Sequence, residues 1–149
     1  MLTRDEIAAR IPHQGAMCLL ARVDAWDGES IRATATSHRD PANPLRADGR
    51  LGAANAIEYA AQAMAVHGAL LAGAGDRAER PRAGYLTSVR SVTLDVARLD
   101  DLTGDLEIRA ERISGDGNNV LYAFTVAAGA TAVASGRAAV VLDSGALTS

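Results

Sequence analysis

From Leu51 to Gly73 the sequence reads LGAANAIEYAAQAMAVHGALLAG, without a proline, dense in alanine, and with a single charged residue, Glu58. Alanine is the strongest helix former and glycine bounds the run, so it predicts one long helix. A helix lying on a surface keeps a charged stripe toward water. This one has none and is expected to be buried nearly all round. A chain of 149 residues is long enough for one domain with a real core and too short to suggest two. The rest of the chain must therefore enclose this helix.

Ahead of it, TRDE (3–6) is a capping box: Thr3 accepts from the Glu6 amide and Glu6 reaches back, opening a short helix that ends before Pro12. MCLLARVDAW (17–26) and SIRATATS (30–37) predict two antiparallel strands turned at Asp27-Gly28. Residues 38–50, rich in Pro, Gly, Asp and Asn, predict a long ordered loop, a kind of segment that often carries function. Beyond the helix, residues 73–84 predict a polar, Arg-rich surface connection. Strands follow. SVTLDVARL (91–99) sets Val92, Leu94 and Val96 against Thr93, Asp95 and Ala97, and DLEIRAERI (105–113) sets Leu106, Ile108 and Ala110 against Glu107, Arg109 and Glu111. Such alternation gives each strand one wet face. Turns at 114–119 and at Ala128-Gly129 lead into VLYAFTVAA and ATAVASGRAAVVL, the last apolar on both faces.

Two flat layers would leave half of the long helix wet, so the strands must form one sheet that curves around it. The pattern predicts an α+β chain, residues 1–149 as a single hotdog domain, with a curved antiparallel sheet wrapped around one central helix. Such a sheet leaves an edge strand that commonly pairs with a second subunit, so a homodimer or higher homo-oligomer is expected.

Apolar residues at 48% and charged residues at 22% exclude disordered and fibrous classes. All basic residues are arginine, and the net charge of -3 does not suit a general nucleic-acid binder. No apolar run is long enough to cross a bilayer and MLTRDEIAAR lacks the core of a secretory signal, so a cytoplasmic location and no membrane contact are expected. The lone Cys18 excludes an internal disulfide, and no His/Glu spacing suits a metal ion. Neither metal nor cofactor is expected.

On the helix, Asn55, Glu58 and Gln62 fall at helical spacing on one narrow polar stripe, where their side chains are expected to converge. A carboxylate desolvated by apolar surroundings holds its proton to higher pH, which suits general acid or base work. The competing reading makes Glu58 a satisfied buried polar group or a subunit contact. Among the histidines, His67 lies nine residues beyond Glu58, about 180° round the helix, and is expected in the core or an interface. His38 is expected at a surface strand end. His13, fixed by Pro12 at a junction, can present its ring into a groove, although packing is the commoner role there. Cys18 sits in an apolar run and is expected to be inert. Arg77, Arg80 and Arg82, continuing to Arg90, offer a surface for an acidic phosphopantetheine carrier or form only a solvated face.

Taken together, IPHQGAMCLLARV (11–23), IEYAAQ (57–62), GYLTSVRSVTL (84–94) and LTGDLEIRAER (102–112) resemble the 3-hydroxyacyl-(acyl carrier protein) dehydratases of the hotdog superfamily over about residues 5–142. The first is similar to that family's LPHRYPFLLVDRV and the second to its LEAMAQ, which aligns Glu58 with the family's catalytic acid and Gln62 with its Gln. The family's catalytic His lies in a GHFPG motif fourteen residues before the acid, where this chain has Pro44. NPLRADGRLGAANAIE (43–58) instead resembles a divergent branch, the dehydratase-like proteins encoded with aryl-polyene and related fatty-acid-type synthesis enzymes.

The resemblance implies a narrow acyl tunnel beside the helix and a substrate held as a thioester on an acyl-phosphopantetheine carrier protein or on CoA. It implies Glu58 as proton donor to the departing hydroxyl. Amides near Gly52 and Ala53 would hold the developing enolate, with Asn55 and Gln62 at the substrate. His13 is the first substitute for the missing base and His38 the second. An accessory role is the alternative, as a heterodimer with a fully equipped dehydratase or as an acyl-binding scaffold, and an acyl thioesterase is the third.

Overall fold

A computed structural model describes residues 1–73, 84–116 and 119–142. The capping box forms at the start of α1 (Arg4–Ala8), with the Glu6 amide donating to Thr3 Oγ1 at 3.3 Å and the Thr3 amide to Glu6 Oε1 at 3.0 Å. Seven strands make one antiparallel sheet: β1 (Leu2–Thr3), β2 (Arg22–Trp26), β3 (Ser30–Ala35), β4 (Gly84–Leu94), β5 (Leu106–Asp116), β6 (Asn119–Ala128) and β7 (Thr131–Leu142). Their spatial order is β1-β2-β3-β5-β6-β7-β4. The long helix α2 (Ala56–Leu71), preceded by a 3-10 turn over Ala53–Asn55, connects β3 to the far edge strand β4 and packs on the inner face of the sheet. This is the hotdog arrangement that the pattern predicted.

Alternation explains which face is inner. On β5, Leu106, Ile108 and Ala110 are buried while Arg109 and Glu111 are exposed; on β6, Val120, Tyr122, Phe124 and Val126 are buried. These side chains meet Tyr59, Ala60, Ala63, Met64 and Val66 of α2 in one core. The small alanine surface of the helix lets the sheet approach closely. Within the sheet, Gly136 on β7 makes room for its cross-strand partner Phe124 on β6, since a Cβ there would lie 2.9 Å from the Phe124 ring.

Three local expectations are corrected. Residues 17–21 are not strand: a 3-10 turn over Gly15–Met17 leads into an extended segment, and β2 begins only at Arg22. The strand expected over 91–99 instead ends at Leu94 and begins at Gly84. Its apolar residues are not covered, for Leu86, Val92 and Leu94 are 37%, 37% and 43% exposed. β4 lies at the sheet edge, with β7 as its one ladder neighbour, so the alternation records a face that this chain alone leaves open. The turn at Asp27-Gly28 and the ordered loop after β3 form as expected. Within that loop Asp48 and Gly49 both take positive φ, 53° and 74°, between reciprocal hydrogen bonds joining Ala47 and Arg50, the geometry of a tight primed turn. Most of the Arg-rich connection, with Arg77, Arg80 and Arg82, lies outside the described residues.

Candidate functional site

Glu58 is exposed. The desolvation expected around it is therefore absent in the chain by itself, although its helix is otherwise buried from Tyr59 to Ala69 apart from a half-buried Ala61. Nor do the stripe residues converge. Gln62, 2% exposed, accepts from the Leu19 amide at 2.8 Å and donates to the Met17 carbonyl at 2.6 Å. Both ends of its amide are thus committed to the strap over residues 17–19. Asn55 donates to the Gly52 carbonyl at 3.1 Å, at the helix entry. The Ala53 amide is not free, since it donates to the Ala97 carbonyl at 3.1 Å. Among the described residues the Gly52 amide has no backbone acceptor.

Around this entry Asp100 acts as a clamp. Its carboxylate accepts from the Leu51 amide at 2.9 Å, pairs closely with the Arg98 guanidinium, and lies 3.8 Å from Arg46. The Arg98 hydrogen bond, with the Leu51 amide behind it, holds the Asp100 carboxyl well below the usual carboxylate range. Arg46 also donates to the His38 and Gly49 carbonyls, which joins the loop tip to the helix entry.

A second polar group fixes the same loop from below. The Tyr59 hydroxyl, fully buried, lies 2.8 Å from Ser37 Oγ and accepts from Asn43 Nδ2 at 3.1 Å. Ser37 Oγ donates to the Leu19 carbonyl at 2.8 Å, and Asn43 Nδ2 reaches the Ser37 carbonyl at 2.9 Å. Leu19 is thereby held at both its amide and its carbonyl by side chains, which keeps residues 17–20 off the sheet, and the first backbone hydrogen bond to β3 is made by the Ala21 amide to the Thr34 carbonyl at 2.8 Å. Nothing local in MCLLA announces this. The retrievable hints were a tyrosine inside an alanine-rich helix and an asparagine before Pro44.

The histidines divide sharply. His67 is fully buried: its Nε2–H donates to the Asp27 carbonyl at 2.8 Å, and in the neutral ring Nδ1 accepts from the Tyr122 hydroxyl at 2.7 Å. Burial lowers its pKa and pushes the Tyr122 hydroxyl up to about 12. His38, expected at a surface strand end, is instead fully buried and donates from Nε2 to the Gly104 carbonyl at 2.9 Å, with its pKa also lowered by burial. His13 is half-buried, and among the described residues its inner Nδ1 has no hydrogen-bond partner. Pro44, where the resemblance would place a His, is exposed.

No cavity along the helix corresponds to the expected tunnel among those described. A groove of about 410 Å³ lies between β2, β3, β5 and β6, lined by Arg32, Arg109, Glu111 and Thr125 on the face turned from the helix. Among the described residues no three His, Cys, Asp or Glu side chains are grouped to hold a metal ion, and no helix is long and apolar enough to cross a membrane. Cys18 is buried, and burial raises its thiol pKa.

The family of ApeP-like proteins, described as ApeP dehydratase, matches residues 5–147. The chain belongs to the ApeP-like dehydratase family. No curated protein matches it. Among solved structures it is similar to the dehydratase heterocomplex ApeI:P from Xenorhabdus doucetiae, with 24% identity over 95% of this chain and 94% of that one, and a TM-score of 0.81. A thioesterase family protein from Silicibacter pomeroyi is similar at 18% identity, covering 94% of each chain, with a TM-score of 0.60. A hypothetical thioesterase with coenzyme A from Streptococcus pneumoniae is similar at 13% identity, over 81% of this chain and 84% of that one, with a TM-score of 0.54. These likenesses carry the hotdog fold. In this ApeP-like chain Glu58 is exposed, His38 and His67 are buried, and β4 is an edge strand.

Proposed function

We propose that this ApeP-like chain is one subunit of a two-chain dehydratase that removes water from 3-hydroxyacyl thioesters carried on a phosphopantetheine carrier protein. The observation that carries this reading is that the chain is unfinished on its own. Glu58 stands exposed on an otherwise apolar helix, and β4 presents an uncovered apolar lip. An active dehydratase subunit seated against these surfaces would desolvate Glu58 and supply the His that this chain replaces with Pro44. The structure similar to this chain that is described as a heterocomplex of dehydratases supports the same reading.

In this arrangement Glu58 protonates the departing 3-hydroxyl. The Gly52 amide, at the start of the helix, stabilises the developing enolate. Gln62 and Ala53 position rather than touch substrate, since their polar atoms are already engaged by residues 17–19 and by Ala97. Asn55 does the same for Gly52. His13 is the candidate base within this chain, because His38 and His67 are held in the core.

The test is loss of water from a 3-hydroxyacyl carrier-protein thioester, followed by mass spectrometry, with the chain alone and with a dehydratase carrying the GHFPG motif. Activity only in the pair, reduced at least about a hundredfold by Glu58→Ala, supports a shared site. Paired activity that Glu58→Ala leaves intact would make this chain a scaffold. Release of the free acid without dehydration would make it a thioesterase.

A further inference from the structure

The outer face of the sheet carries two arginine pairs that sit directly opposite each other across neighbouring strands: Arg32 and Arg109 on β3 and β5, and Arg90 and Arg137 on β4 and β7. All four are exposed. Like charges directly opposite each other destabilise a ladder. The first pair is compensated, because Glu107 takes the Arg109 Nε at 2.7 Å and Glu111 stands next along β5 on the same face. The second pair is not. Its neighbours on that face are Ser88 and Thr93 on β4, Ser135 and Ala139 on β7, and Ala123 on β6. Among the described residues neither Arg90 nor Arg137 has an ion-pair partner. The one uncompensated pair thus lies on the edge strand and its neighbour, where another chain would join.

The inner side of the same strand makes the opposite demand, for the exposed Leu86, Val92 and Leu94 need cover. Full-length antiparallel pairing of two copies of β4 (Gly84–Leu94) centres on Val89. It places each Arg90 opposite the other copy's Ser88 and makes the two Arg90 side chains diagonal neighbours, about 7–8 Å apart. With the two Arg137 side chains behind them, four guanidinium groups would share one patch with no carboxylate. We infer that β4 is built to reject a second copy of this chain and to accept the edge strand of a different subunit that presents carboxylates opposite Arg90. This rests on the two-chain reading above and names the chemistry of the partner's edge. Unlike-charge pairing there sets which chains associate more than how tightly they do.

Self-association of the full chain, measured by sedimentation at low and high salt, tests the inference without any partner. Wild type is expected to dimerise weakly at about 0.05 M salt and at least about tenfold more tightly at about 0.5 M, where repulsion is screened. Arg90→Glu leaves two positive and two negative charges in the patch, so it should tighten self-association at low salt at least about tenfold and reverse the sign of the salt effect. Arg137→Glu should do the same, which guards against one variant folding poorly, and Arg32→Glu, away from β4, should change nothing. A tight wild-type dimer that is indifferent to salt and loosened by Arg90→Glu overturns the inference while leaving β4 as an interface. A chain that stays monomeric with Arg90→Glu also overturns it, since charge is then not what prevents self-pairing. The two-chain reading stands or falls separately, on the activity of the pair.

Discussion

Where α2 meets the strap over residues 17–19 and the loop after β3, Tyr59 and Gln62 are buried and each of their polar side-chain atoms has a partner within 3.1 Å. One turn away Glu58 is exposed, and across the sheet β4 leaves three large apolar side chains partly bare. The first region is built as a protein interior is, with the buried polar atoms of Tyr59 and Gln62 satisfied. The second has the composition of an interior and the exposure of a surface. On the two-chain reading proposed above, the apolar pattern of β4 records burial in the assembled protein, of which the single chain provides only part.

The largest effect is expected where the finished region is broken. Gln62→Ala leaves the Leu19 amide and the Met17 carbonyl without their partner and should lower unfolding free energy by about 2–4 kcal/mol in denaturant titration. A loss below about 0.5 kcal/mol would mean that the strap is not held there. Tyr59→Phe keeps the ring but removes the hydroxyl on which Ser37 and Asn43 converge, for an expected loss of about 1–3 kcal/mol. The loop after β3 should then gain faster amide exchange before the core does.

Acid sharpens the same contrast through the histidines. Burial holds the pKa of both His38 and His67 below the ordinary 6.5, so as pH falls through 6.5 the unfolded chain takes up protons first. Stability is full above about pH 6.5 and declines below it until the folded-state pKa values are passed, by up to about 1.4 kcal/mol per pH unit for each ring. Denaturation at about pH 7.5 and 5.5 measures the slope, and His67→Gln should remove part of it. A slope that His67→Gln leaves unchanged would assign the acid sensitivity elsewhere. The smallest effect belongs to the unfinished region. Glu58→Gln should shift the stability of the isolated chain by no more than about 0.5 kcal/mol, because an exposed group has little to lose. A loss of several kcal/mol would instead mark Glu58 as structural.

Much of the fold was legible in the sequence because its determinants are local or periodic. Thr3 and Glu6 close their box within one turn, Asp27-Gly28 fixes a hairpin, and the alternation from Leu106 to Ala110 places β5. The helix announced itself through alanine and the lack of charge. What could not be read depends on distant partners. Leu19 looks like strand until the Gln62 and Ser37 side chains, far along the chain, take its backbone groups. His38 looks like a strand end until the Gly104 carbonyl meets it. Glu58 and the apolar residues of β4 were expected in the interior, and the chain leaves them exposed. At the candidate site the same limit applies: the alignment of Glu58 was available from the motif, whereas the engagement of the Ala53 amide by Ala97 was not.

The central claim, that the open region is completed by a second and different chain, is tested most directly by hydrogen exchange along β4 in the chain alone and in its complex with a GHFPG-carrying dehydratase. Outward-pointing amides between Tyr85 and Leu94 are expected to gain protection in the complex, while those of β1, the opposite edge, do not change. Unaltered exchange along β4 in a complex that forms and is active would contradict it and would move the interface to another surface of the chain.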